Sequence, residues 1–289
     1  MGRYTYSSNA WGYYHVGKSL SVKTIAERIC SLGFDGFDLL VGDDAYPTCS
    51  IDEKAEFWKD IRRAAEDTGG FIASLTLVSC PLHDETECLK QFKRALKIRE
   101  SLGTDFVNLL PRKLGISHDE GFKRLERIWK EVGPDFKAAG LIVCAENHVC
   151  TPHADDDIFL LRTEADFHRL IEMTDGDILV KFDPVWLLKP GAAEQPVPAF
   201  ERLLPHVGVL DLKDCTFPEG LLVRPGTGAV DFESLARLVA HSQVTRLSVE
   251  AEHHMKQDPP LTDLQAIDTV HVSALKFYKG IFESDVCFE

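Results

Sequence analysis

The sequence predicts a single-domain α/β protein, a (β/α)8 barrel over residues 1–289. Three observations predict it. Strand-like and helical runs alternate eight times along the chain. The strand-like runs are short, apolar and often β-branched, as parallel strands buried on both faces must be. Four acidic residues, Glu146, Asp183, Asp211 and Glu250, each close such a run, with gaps of 37, 28 and 39 residues. A barrel uses roughly 31 residues per strand and helix. The four carboxylates therefore end four consecutive strands, and those ends converge on the face where barrels place their active sites. A doubly wound open sheet is the alternative, but it rarely needs eight units, and no G-x-G-x-x-G follows the first strand.

The predicted strands are 4–10, 36–41, 71–78, 105–111, 141–148, 178–184, 207–214 and 246–252. The helices between them carry stop and start signals. VKTIAERICSLGF places Ile25, Ile29 and Leu32 on one face and stops at Gly33. IDEKAEFWKDIRRAAEDTGG ends in two glycines, ETECLKQFKRALKIRESLG at Gly103, and HDEGFKRLERIWKEVGPDFKAAG at Gly140. TEADFHRLIEMT opens on Thr163, a good N-cap. PVPAFERLL is a shorter helix with Pro near its start. DFESLARLVAH and LTDLQAIDTVHVSALKFYKGIF complete the set. The longer loops follow strands 1, 2, 5, 6 and 7, on the carboxylate face, and are expected to build the pocket.

A net charge of −14 argues against nucleic acid as a partner, because phosphate binding needs clustered Lys and Arg. No apolar run approaches the ~18 residues of a membrane span. MGRYTYSSNAW lacks the basic and apolar stretches of a signal peptide, and Tyr6 stands where myristoylation wants Ser or Thr. The expected location is the cytoplasm, without membrane attachment. The eight cysteines contain no C-x-x-C and are expected to be reduced thiols; Cys144 and Cys150 read as ordinary thiols in preference to a metal pair.

Four convergent carboxylates repel one another in a partly desolvated site, and a divalent cation compensates them. An all-oxygen set suits a hard cation, so the expected cofactor is one Mn2+ or Mg2+, with Co2+ or Zn2+ as substitutes. Alternate residues of a strand share a face, so Glu146 aligns with His148, Asp211 with Lys213, and Glu250 with Glu252. His148 can bind the metal or a substrate hydroxyl. Lys213 can neutralise an oxyanion, or pair with Glu250 or Asp214. Asn108 and Arg112, at the end of strand 4, are candidates for hydroxyl or anionic groups. Trp11, Tyr13, Tyr14 and His15 after strand 1, and Trp186 after Asp183, can stack on the apolar face of a sugar or simply pack. Asp38 is expected to face the barrel mouth. RPGTG (224–228) lies where barrels often hold phosphate, but reads as a plain turn in preference to a phosphate loop.

These motifs resemble the xylose isomerase-like TIM barrel superfamily, the sugar phosphate isomerase/epimerase and AP endonuclease 2 group. SLGFDGFDLL is similar to the family's "lGydGvEl" segment, with Asp38 in place of Glu. CAENH resembles the strand-5 segment that carries the first metal Glu, here Glu146. FDPVWL resembles "DtgH", LDLKD resembles "HlKD", PGTGAVDF resembles "GeGxvdf", and LSVEAE resembles the strand-8 segment whose first Glu is a ligand. The resemblance covers nearly the whole chain. It implies metal ligands Glu146, Asp183, Asp211 and Glu250, with Glu146 and Glu250 as the acid/base pair. Two residues depart from the pattern. Asp211 stands for the usual strand-7 His, which should shift metal preference toward Mg2+ or Mn2+, and Trp186 stands for a His, which should change substrate contacts.

The resemblance implies isomerisation or epimerisation of a sugar, cyclitol or related polyol through a metal-stabilised enediolate, possession of a small-molecule substrate, and homo-oligomers of the kind its relatives form. A dehydratase or lyase acting on a keto-sugar or keto-cyclitol would use the same enolate. An AP-endonuclease-type nuclease fits less well, lacking the strand-7 His and a basic groove. A non-catalytic degenerate barrel would have to keep four costly carboxylates without a cation.

Overall fold

The computed structural model describes residues 2–17, 19–42, 47–148, 158–188, 195–256 and 259–284. Eight parallel strands close a barrel: β1 (Thr5–Asn9), β2 (Gly36–Gly42), β3 (Phe71–Pro81), β4 (Phe106–Arg112), β5 (Ile142–Glu146), β6 (Ile178–Phe182), β7 (Val207–Leu212) and β8 (Arg246–Val249). Each pairs with its sequence neighbours, and β1 closes the ring by pairing with both β2 and β8. Among the described residues, eight longer helices wrap it: α1 (Val22–Ser31), α2 (Ala55–Glu66), α3 (Glu85–Leu102), α4 (His118–Ala138), α5 (Glu164–Met173), α6 (Pro196–Leu203), α7 (Phe232–Ala240) and α8 (Leu264–Phe282).

The expected caps are present. Gly103 ends α3 in the left-handed conformation, where a side chain would be strained. Thr163 opens α5 in a capping box with Asp166. Several short elements were not expected. A two-residue strand, Cys49–Ser50, lies beside β2, and Asp214–Cys215 pairs antiparallel with Leu222–Val223. A short helix, Pro184–Leu188, begins inside the segment predicted as the end of strand 6. Proline fits a first helical turn, and Asp183 caps that turn by accepting from the Val185 amide at 2.9 Å.

The main core lies between the barrel and the helices. Inside the barrel, Phe106, Cys144, Leu179 and Val209 form a separate apolar plug toward β4–β7. The opposite half of the interior is polar. Ser7, Ser74 and Ser248 each donate a hydroxyl to the Asp38 carboxylate, at 2.6, 2.6 and 2.9 Å. Asp38 is thus satisfied deep in the barrel and does not face the mouth as expected. Asn108 belongs to the same layer: its amide donates to Ser74 and Thr76, and it pairs in register with Cys144, two residues below Glu146. It is buried in the barrel interior, and the strand-end positions of the same face lie above it, nearer the mouth.

Among the described residues no helix is long and apolar enough to cross a membrane. The described thiols, Cys30, Cys49, Cys80, Cys88, Cys144 and Cys215, are buried and form no disulfide with one another; Cys150 and Cys287 lie outside the described residues.

His271 of α8 gives a pH-dependent term. Its ring is fully buried, stacked 4.9 Å from Tyr13 and edge-on to Phe34, and its Nδ1 bonds the Ile267 carbonyl at 3.0 Å. Burial pushes its pKa down from 6.5 to about 4. The unfolded chain therefore binds this proton before the folded chain does, so stability is complete above pH 6.5 and falls as pH drops toward 4. The expected loss is about 3 kcal/mol by pH 4. Urea unfolding across that window checks it: His271→Phe should flatten the slope, and an unchanged slope would show that other groups cause it.

Candidate active site

The four strand-end acids meet at one rim. Glu146 is the last residue of β5, Asp183 follows β6, Asp211 lies within β7, and Glu250 follows β8. The predicted strands run two or three residues past the observed strand ends. The ladder stops where the backbone turns outward into the loops, which leaves the carboxylates over the open end. Ligand oxygens of Glu146, Asp183 and Asp211 lie within 4.8 Å of one another, and all three residues are buried. Asn147, also buried, ties β5 to β6: its side chain donates to the Asp183 carbonyl and accepts from the Asp183 amide, each at 2.9 Å.

Two ammonium groups enter this cluster. Lys181 Nζ lies 2.6 Å from Glu146 Oε2, 3.0 Å from Asp211 Oδ2 and 3.7 Å from Glu250 Oε1. Lys213 Nζ lies 2.7 Å from Asp183 Oδ2 and 2.5 Å from Glu250 Oε2, and 4.7 Å from the centre of the Trp186 ring. Of the two options for Lys213, the pair is with Glu250, shared with Asp183. Asp214 is engaged elsewhere, by backbone amides. Asn9 Nδ2 donates to Glu250 Oε1 at 3.2 Å.

Charge is unevenly shared. Burial alone would raise Glu146, but Lys181 and the His148 ring outweigh it and hold this carboxyl below its usual range. Burial raises Asp211 well above its usual value against the pull of Lys181, since one ammonium cannot hold two anions equally. Burial also raises Asp183, opposed by Lys213. Glu252 is half-buried, and desolvation with the Glu250 charge pushes it up to about 8, so it carries a proton at neutral pH. Both lysines stay charged: the facing carboxylates outweigh the desolvation that would otherwise lower them.

The donor set fits a hard divalent cation. Asp211 is fully buried, and neither of its oxygens accepts a hydrogen bond, Lys181 being within ion-pair distance only. Four carboxylates against two ammonium groups leave a formal excess of two negative charges. Buried carboxylate oxygens of this kind are stabilised by a cation.

Around the cluster, His148 packs against Phe159 and Trp186, with ring centres 4.4 and 4.2 Å away, and its Nδ1 is 3.4 Å from Glu146 Oε1. Desolvation lowers its pKa, so the ring is neutral near pH 7. Arg112 stands over the Phe159 ring at 5.6 Å, at the edge of this aromatic group. Trp11 is half-buried, 6.0 Å from Tyr14. Tyr13 is not part of an aromatic wall: it is fully buried and donates its hydroxyl to Asp268 at 2.8 Å. RPGTG is a turn wrapped round Asp214, whose Oδ2 accepts from the Gly226 and Gly228 amides, so those amides are not offered to a phosphate. Parts of the loops after β2, β5 and β6 lie outside the described residues.

Sequence reasoning missed Lys181 and Asn9. The signal for Lys181 was present: a charged residue inside the apolar run ILVKF, two before Asp183 and so on the same face.

The chain belongs to the xylose isomerase-like TIM barrel family, which it matches over residues 26–270. No curated protein matches the sequence. Among solved structures, D-psicose 3-epimerase with D-tagatose from Clostridium cellulolyticum H10 is similar, with TM-score 0.73 and 14% identity over 96% of this chain and 99% of that one. The 3-keto-D-glucoside 4-epimerase YcjR from E. coli has TM-score 0.69 and 14% identity over 94% and 99%. The IOLI protein, whose structure holds a zinc atom, has TM-score 0.69 and 14% identity over 96% and 98%. At these identities the likeness establishes the fold.

Proposed function

We infer that the protein is a divalent-metal-dependent isomerase or epimerase acting on a sugar, cyclitol or related polyol that carries a carbonyl. The observation that carries this reading is the buried group Glu146, Asp183 and Asp211, with Glu250 facing it across Lys181. The epimerase function of two of its structural relatives supports the substrate class. Glu146, Asp183 and Asp211 would hold the cation, with Glu250 beside them. When bound, the cation supplies the Lewis acidity that makes a C–H next to a carbonyl removable.

The protein's own groups do the rest. Glu146, kept ionised by Lys181, and Glu250, held by Lys213 and Asn9, stand on strands separated by β6 and β7. One removes the carbon-bound proton and the other returns it. Neutral His148 and protonated Glu252 offer hydrogen bonds to substrate hydroxyls. Trp186, Phe159 and Trp11 wall the site and exclude water, and Arg112 closes its edge.

The test is incubation with ketoses and keto-cyclitols in deuterium oxide with Mn2+, read by mass spectrometry and proton NMR. Deuterium should enter the carbon next to the carbonyl. No uptake into any compound the protein converts would end the proton-transfer reading, and release of water with uptake would assign the lyase alternative.

A further inference from the structure

Lys181 stands among residues whose chemistry suits a metal ion. Its ammonium contacts carboxylates from β5, β7 and the end of β8, at 2.6, 3.0 and 3.7 Å. Two of these, Glu146 and Asp211, belong to the group able to hold a cation. Its side chain is only 5% exposed, so the charge has little water to solvate it and depends on those carboxylates. Register makes the arrangement obligatory: Lys181 pairs with Glu146 in the β5–β6 ladder, and its other register partner, Val209, lies two residues below Asp211. A lysine at this position must point into the barrel beneath the acids.

Resting on the metal-site reading above, we propose that Lys181 is the built-in competitor of the divalent cation: its ammonium fills the space between Glu146 and Asp211, moves aside when the ion enters, and keeps metal affinity low and exchangeable. The same carboxylate oxygens satisfy either cation. Two cations a few ångströms apart in a buried site repel strongly, so full engagement of one weakens the other. Lys213, which holds Asp183 and Glu250, keeps the rest of the cluster neutralised whichever cation is present.

The experiment is titration of Mn2+ into the metal-free full-length protein, followed by calorimetry and by the electron paramagnetic resonance signal of free Mn2+. Lys181→Met should bind Mn2+ at least about tenfold more tightly than the parent, since a like charge is removed from the site. Lys181→Arg, which keeps the charge, should not tighten binding. Equal affinity in parent and Lys181→Met, or equal tightening by Arg and Met, would overturn the role of the ammonium and leave the metal site standing. No Mn2+ binding by any of the three proteins would overturn the metal site itself, and this inference with it. Removing Lys181 leaves acids uncompensated, which can make folding of Lys181→Met depend on a cation. In that case the thermal midpoint is compared with and without millimolar Mn2+. A larger Mn2+-dependent rise than in the parent supports the proposal, and an equal or smaller rise overturns it.

Discussion

Glu250→Gln should lower exchange of the substrate's carbon-bound proton by roughly 10²- to 10⁴-fold, the usual contribution of a positioned acid or base, and leave the fold intact. Glu250 follows β8, is buried, and has both oxygens engaged, one by Asn9 and one by Lys213. Glutamine keeps the shape and one acceptor but cannot take a proton. Lys213 retains Asp183 as a partner, so the substitution does not strand a buried charge. The rate of deuterium incorporation, measured beside the thermal midpoint, separates chemistry from stability. Exchange at the parent rate would remove Glu250 from the mechanism.

The second large effect is structural. Asp214→Ala should destabilise the protein by about 3 kcal/mol or more, because amides left unsatisfied in a buried place cost about 1–3 kcal/mol each. Asp214 is 2% exposed. Its Oδ1 accepts from Cys215 and Val230, and its Oδ2 from Gly226 and Gly228, at 2.9–3.2 Å. This explains the G-T-G of the turn. Gly226 has φ +80°, and a Cβ at Gly228 would lie 2.2 Å from Asp214 Oδ1. Urea unfolding gives the loss, and limited proteolysis should find new cleavage within 224–230. A variant as stable as the parent would mean that water takes over the amides.

The barrel was legible because its signals are local and repeated: apolar runs of strand length, glycine stops and N-caps at each helix. The rim carboxylates were legible because one strand-helix unit has a nearly constant length, so four acids at that spacing end neighbouring strands. The depth of a side chain within the barrel was not. Asn108 and Asp38 share the inward face with the site residues, but sit a layer or more below the mouth, and only the stagger of the closed sheet sets that level. Lys213 reads from the sequence as a group for an oxyanion or for a pair with Glu250 or Asp214; its sharing between Asp183 and Glu250 depends on three strands meeting. The role of Lys181 was not legible because a lysine inside an apolar run does not show which acids of neighbouring strands it opposes. The turn at 224–228 was legible as a turn from its glycines; what the sequence hides is that Asp214, ten residues before it, uses the amides they expose.

The most direct test of the central claim is bound metal at equilibrium. The parent and Asp183→Asn are dialysed against the same free Mn2+, and the protein-bound metal is measured by inductively coupled plasma mass spectrometry. The carboxylate site predicts about one Mn2+ per parent chain and a large loss in Asp183→Asn. No bound metal in the parent, or equal metal in both, would contradict it.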